Sequence, residues 1–70
     1  MPTGLDEALL EAHRQQDFKE LTTLYAQAAA GSDGEEAGFF LTQAYVFALD
    51  AGDPRAHALH QKLKELGREE

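Results

Sequence analysis

The chain has 70 residues and no cysteine, and its 13 acidic and 6 basic residues give a formal net charge of −7. Its length predicts a single domain, and the lack of cysteine excludes disulfides and thiolate metal sites. This negative charge repels nucleic acid and anionic membranes, and no apolar run reaches the roughly 20 residues that span a bilayer. We therefore expect a cytoplasmic protein that binds neither nucleic acid nor membrane.

The first predicted helix runs from about Leu5 to Gln15. Thr3 is its expected N-cap, and Asp6 lies three residues later at the acidic position of a capping box. The apolar positions that share one face of this helix are Leu5, Ala8, Leu9 and Ala12.

A second helix follows the short segment "QQD". Asp17 is its expected N-cap, with Glu20 at the matching acidic position. Gly31 is the expected residue after its C-terminus, in the left-handed conformation that only glycine adopts at low cost. Apolar side chains recur at helical spacing at Phe18, Leu21, Leu24, Tyr25 and Ala28.

The acidic segment "GSDGEEAG" is the predicted loop before a third helix that ends at Ala51. It contains two overlapping capping patterns, Ser32 with Glu35 and Asp33 with Glu36. The helix sequence "FFLTQAYVFALDA" is apolar nearly all round, which is typical of a central helix covered on several sides. Its alanines, and the lack of any segment that could pair with a strand, favour a helix over a strand at "AYVFAL".

A fourth helix is bounded by Gly52 and Gly67. Gly52 is expected to be left-handed, Asp53 to cap the helix, and Pro54 to take its first position, where a missing N–H costs nothing. Its apolar stripe consists of Ala56, Leu59, Leu63 and Leu66. The predicted fold is all-α, with four helices in two antiparallel helix–turn–helix hairpins.

The second half of the chain repeats the first at an offset of 36 residues. The offset aligns Gln16-Asp17 with Gly52-Asp53, Ala8 with Ala44, and Ala12 with Ala48. Two helix–turn–helix units of this size indicate stacked helical hairpins.

The segments "QDFKELTTLYAQAA" and "AYVFALDAGD" resemble the second helix and the end of the first helix of a tetratricopeptide repeat. The resemblance rests on Phe18, Leu21, Tyr25 and Ala28 and on the turn at Gly52-Asp53. It implies one domain over residues 1–70, with hairpins at about 3–31 and 34–67 in a right-handed stack. An unrelated four-helix arrangement is the alternative.

The same resemblance implies that the first helix of each hairpin lines a concave surface. Carried over to this chain, the lining consists of Asp6, Leu10, His13, Arg14, Phe39, Thr42, Val46, Leu49 and Asp50. Because this lining is mostly apolar, we expect a non-catalytic interaction module that binds an apolar helix or peptide segment. The alternative is a structural homodimer that uses the same face.

His57 and His60 lie three residues apart on the fourth helix, one turn after Asp53, and could hold a metal in principle. They also border the leucine stripe, and Asp53 is needed as a cap, so we expect no metal and no cofactor. The acidic loop would repel phosphate, and Ser32 has no histidine near it in sequence. These features predict that the protein is not an enzyme.

Overall fold

The computed structural model describes residues 4–67, and it confirms the all-α class. The part of the chain that it describes forms four helices and no strand: α1 (Gly4–Gln15), α2 (Phe18–Ala30), α3 (Gly34–Ala51) and α4 (Arg55–Glu65). Each helix packs against the next one in sequence, and the most extensive packing is between α2 and α3. The expected cap at Thr3 lies outside the described residues.

Two hydrophobic clusters hold the helices together. The first joins α1 to α2 through Ala12, Leu21 and Leu24. The second joins α2, α3 and α4, and its buried members are Ala29, Leu41, Ala44, Ala48, Leu59 and Leu63. Ala44 and Ala48 are completely buried; without larger side chains, α3 approaches its neighbours closely at both positions. Tyr25 packs against both clusters and so connects them.

The turns inside the two hairpins share one backbone geometry. Gln16 has φ 55°, and Gly52, its counterpart at the offset of 36, has φ 65°. The N–H of Asp17 donates to the Ala12 carbonyl at 2.9 Å, and the N–H of Asp53 donates to the Ala48 carbonyl at 2.8 Å. The repeat seen in the sequence is therefore present in the turns as a repeated pattern of hydrogen bonds.

The loop between α2 and α3 differs from its prediction. Gly31 has φ −91°, so it is not left-handed, and Gly34, with φ 64°, takes that conformation instead. The Ser32 hydroxyl donates to the Ala28 carbonyl at 2.8 Å, so this side chain completes the end of α2 rather than the start of α3. Asp33 takes the N-cap position, but its side chain makes no capping hydrogen bond. Both predicted capping pairs, Ser32 with Glu35 and Asp33 with Glu36, are thus wrong.

The helices form a flat body with principal-axis extents of 34 × 28 × 11 Å. A body this thin cannot cover α3 on every side, although its sequence is apolar nearly all round. No helix within residues 4–67 combines the length and the hydropathy that a membrane crossing requires.

Candidate functional site

Large apolar side chains are exposed on α1, on α3 and directly after α4. The exposed fractions are 62% for Leu10, 57% for Phe39, 44% for Val46, 56% for Leu49 and 52% for Leu66. The first four lie at positions that the sequence predicts for a binding surface. We give the name α1/α3 face to the predicted lining without Asp6; it comprises Leu10, His13, Arg14, Phe39, Thr42, Val46, Leu49 and Asp50.

The α3 part of this face is a single stripe. Phe39, Thr42, Val46 and Leu49 follow one another at intervals of three or four residues, which places them on one side of a helix. The Thr42 hydroxyl donates to the Gly38 carbonyl at 2.9 Å, so its hydrogen is already used within the helix. The stripe therefore offers a partner mainly apolar surface.

His13 is where α1 touches α3. Its ring meets Phe47 edge-on at a centroid distance of 5.6 Å, and it meets Tyr25 in the same manner at 6.1 Å. Its Nε2 and the Tyr25 hydroxyl form a hydrogen bond of 3.1 Å. His13 is exposed, but its contacts with Tyr25 of α2 and Phe47 of α3 hold its side chain in place within the face.

A ladder of aromatic rings joins α2 to α3. Phe47 stacks between Phe18, at 5.9 Å, and Tyr25, at 5.6 Å. Tyr25 continues to Phe40 at 6.2 Å, and Phe40 to Phe39 at 5.5 Å. The helical pattern predicts Phe18 and Tyr25 as apolar positions of the second helix, but it does not predict their stacking on α3. The signal in the sequence is the shared spacing of seven residues, from Phe18 to Tyr25 on α2 and from Phe40 to Phe47 on α3.

The charged members of the face lie at its edges. Arg14 pairs with Glu11 at 3.0 Å, and both side chains are exposed. An exposed pair of this kind contributes little stability and stays accessible to a partner. Asp50 is exposed at the C-terminal end of α3.

A link between helices is formed by Asp53, whose side chain is buried, and Arg55, whose side chain is 41% exposed. The sequence predicts the cap at Asp53 but not the contacts of Arg55. The Asp53 carboxylate accepts the backbone N–H of Arg55 at 2.9 Å and a hydrogen bond from Nη2 of the same residue at 2.7 Å. α4 begins at Arg55, so Pro54, predicted as the first helical residue, lies at the N-cap position instead, while the Asp53 side chain satisfies the N–H that opens the helix. The hydrogen bonds from Arg55 lower the pKa of Asp53 to about 2. Arg55 also reaches α2, where Nη1 donates to the Thr23 hydroxyl at 2.8 Å and Nη2 to the Lys19 carbonyl at 3.2 Å. This arginine thus ties the start of α4 to the start of α2.

His57 and His60 do not form a centre with Asp53. His57 is exposed, whereas His60 stacks on Tyr45 at a centroid distance of 5.3 Å. Asp53 is engaged by Arg55. Across residues 4–67, no three His, Cys, Asp or Glu side chains are grouped so that they could hold a metal ion.

An open apolar cavity of about 320 Å³ lies between α2 and α4. Its lining consists of Ala26, Ala29, Ala30, Leu41, Leu59, Lys62, Glu65 and Leu66. Arg55 ties α2 and α4 together at their first turns, and the cavity is the space that the two helices leave near their last turns. None of its lining residues belongs to the α1/α3 face.

Comparisons with protein-family models, with curated proteins and with solved structures find no match to this chain.

Proposed function

We propose that the protein is a small, non-catalytic interaction module that binds an apolar helix or peptide segment of another protein through the α1/α3 face. The observation that carries the proposal is the exposure of Leu10, Phe39, Val46 and Leu49. Burying these side chains against a partner is favourable by roughly 25 cal/mol for each Å² of apolar surface removed from water.

The aromatic contacts that hold α1 and α3 in place favour a preformed binding surface over a mobile one. The stripe on α3 lies on the same helix as Phe40 and Phe47, whose rings are fixed in the aromatic ladder. His13 fixes α1 to that ladder. A surface that is held in place before binding loses little conformational entropy when a partner arrives.

The tetratricopeptide-like architecture remains part of this proposal. Its support is the resemblance in sequence together with the two turns, which repeat the same hydrogen bonds 36 residues apart. In such an architecture α1 and α3 would line one concave surface, and a helix or an extended segment would lie across both.

A non-catalytic role agrees with the chemistry of the cavity between α2 and α4. Lys62 and Glu65 are the only titratable residues in its lining, and the others are alanine and leucine. Such a lining contains no serine, threonine, cysteine or histidine, the side chains that most often act as nucleophile or base.

The test compares two variants of the tagged protein in its own cells. Leu10→Ser, Val46→Ser and Leu49→Ser together remove the apolar character of the face, whereas Leu66→Ser removes an equally exposed leucine elsewhere. A protein that co-purifies with the wild type is then purified and titrated by calorimetry. We expect the triple variant to bind at least tenfold more weakly and Leu66→Ser to bind like the wild type. Equal binding by all three would refute the proposal.

A further inference from the structure

We infer that the segment bound by the α1/α3 face is cationic as well as apolar: an amphipathic helix whose apolar stripe is bordered by lysine or arginine. This inference rests on the proposed function and adds the chemical class of the partner to it. It follows from the distribution of charge over the four helices.

The negative charge is concentrated on the two helices that carry the exposed apolar side chains. α1 contains three acidic residues and one arginine, and α3 contains three acidic residues with no lysine or arginine, so together they carry a charge of −5. The acidic residues are Asp6, Glu7, Glu11, Glu35, Glu36 and Asp50. By the same count α2 is neutral and α4 carries +2.

The acidic residues border the α3 stripe at both ends. Glu35 and Glu36 come four and three residues before Phe39, which places them on its side of the helix. Asp50 comes four residues after Val46 and follows Leu49 directly. All three carboxylates belong to exposed residues. An incoming helix that covers the stripe therefore meets negative charge at each end.

The same spacing recurs on α1. Asp6 and Glu7 come four and three residues before Leu10, and both are exposed. The basic residue of this helix, Arg14, is paired with Glu11. The α1 part of the face thus repeats the pattern of the α3 part, an apolar centre preceded by two carboxylates.

This arrangement selects against several other occupants. A second copy of the chain would bring one acidic face against another, and like charges placed opposite each other oppose association. An acidic peptide meets the same repulsion. A cationic amphipathic helix instead gains attraction at the borders while its apolar stripe is buried, and the attraction also speeds its approach.

The experiment uses three synthetic helices of about 18 residues, a length that isolated peptides need for helical order. They share one apolar stripe at spacings i, i+3 and i+7, and their bordering residues are lysine, glutamine or glutamate. Each carries one tryptophan, which reports selectively because the protein contains none. We expect the lysine peptide to bind at least tenfold more tightly than the glutamine peptide, and the glutamate peptide to bind most weakly. Raising the salt from about 0.05 to 0.5 M is expected to remove most of this preference, because salt screens exposed charges.

Two double variants separate local from overall charge. Glu35→Lys with Glu36→Lys reverses charge beside the stripe, whereas Glu20→Lys with Glu65→Lys makes the same change in net charge on α2 and α4. We expect only the first pair of substitutions to weaken the binding of the lysine peptide, by roughly tenfold. Equal weakening by both pairs would refute the inference, since attraction would then depend on net charge alone.

The outcomes distinguish the inference from the proposed function. Equal affinity for all three peptides, lost in the triple serine variant of the face, would overturn the cationic partner and leave the apolar binding face intact. Binding of the lysine peptide that survives the triple serine variant would overturn both. A dimer that sedimentation detects in the wild type and not in the triple serine variant would also overturn the inference.

Discussion

The two turns inside the hairpins have the same backbone and different side chains. Gln16 occupies the left-handed position in the first turn, and Gly52 occupies it in the second. A glutamine in this conformation is strained by roughly 1–2 kcal/mol, whereas glycine is not. The packing of the hairpin, and not the identity of the residue at the bend, therefore sets the geometry of the turn.

The residues that follow the bend also form more hydrogen bonds in the second hairpin than in the first. Lys19 stands in the first hairpin where Arg55 stands in the second. The Asp17 carboxylate accepts the Glu20 N–H at 3.2 Å, while the Asp53 carboxylate is held by both the backbone and the guanidinium of Arg55. The planar guanidinium can donate to several acceptors at once, which an ammonium group cannot do in that geometry. The second turn is therefore the more firmly held of the two.

The largest expected effect comes from placing a branched side chain at the second bend. Gly52→Val should destabilise the protein by roughly 1–3 kcal/mol in chemical denaturation, because valine is strained at positive φ. A Cβ at this position meets no atom within 4 Å, so the loss would report backbone strain and not a clash. Ala51→Val, one residue earlier within α3, is the control and should cost less. Equal losses would mean that the left-handed bend is not required.

The second expected effect concerns the two aspartates. Asp53→Ala should lower the Tm by roughly 5 °C or more, and by clearly more than Asp17→Ala, because it removes a cap together with the link from α4 to α2. Thermal melts followed by circular dichroism measure both. If Asp17→Ala were the more damaging change, the second turn would not be the more firmly held one.

The acid dependence of stability tests the same link. The pKa of Asp53 in the folded protein is about 2, below its ordinary value of 3.8, because Arg55 donates hydrogen bonds to the carboxylate. A lowered pKa adds stability that is fully present well above pH 3.8 and is lost as the pH falls towards 2. The difference in Tm between the wild type and Asp53→Asn should therefore be constant above about pH 5 and shrink between pH 5 and 2. A difference that does not change over this range would contradict the link.

The next effect has the opposite sign and concerns the first bend. Gln16→Gly should stabilise the protein by about 1 kcal/mol, since it relieves the strain at φ 55°. Gln15→Gly, at the last residue of α1, should not stabilise it, because Gln15 is already helical and glycine has a lower helix propensity. Urea denaturation of the two variants gives the sign directly, and a loss of stability in Gln16→Gly would refute the strain.

The smallest effect concerns the two histidines of α4. His57 and His60 occupy the positions that Leu21 and Leu24 occupy in the first hairpin. The leucines are buried, whereas His57 is exposed and His60 packs its ring on Tyr45. Replacing both histidines by glutamine should change the free energy of unfolding by less than about 1 kcal/mol. A larger loss, or the loss of a bound metal, would restore the metal hypothesis.

The sequence predicted those parts of the fold that depend on local chemistry. Helical periodicity located all four helices, and Gly52 and Gly67 are left-handed where each was expected to end a helix. The prediction of a left-handed Gly31 is wrong because glycine allows a left-handed bend without requiring one. Here the Ser32 hydroxyl completes the end of α2, and Gly34 takes the left-handed conformation. Gln16 could not be found by the same rule, since glutamine does not favour the conformation that it adopts.

In the candidate site, too, some features follow from the local sequence pattern and others depend on how the helices pack. The stripe from Phe39 to Leu49 follows from helical spacing, and the exposure of its large apolar residues follows from the small size of the protein. The contacts of Arg55 with Thr23 and Lys19 depend on how α4 lies against α2, and no local pattern encodes that. The contact of His13 with Phe47 joins two helices for the same reason.

Whether the apolar side chains of the α1/α3 face serve a partner or the fold can be tested without knowing the partner. The measurement is the free energy of unfolding of the variant that carries Leu10→Ser, Val46→Ser and Leu49→Ser, compared with Leu41→Ser in the buried cluster. We predict a change within about 0.5 kcal/mol for each exposed site and a loss of several kcal/mol for Leu41→Ser. A loss in the triple variant as large as that of Leu41→Ser would show that these side chains hold the helices together and do not serve a partner.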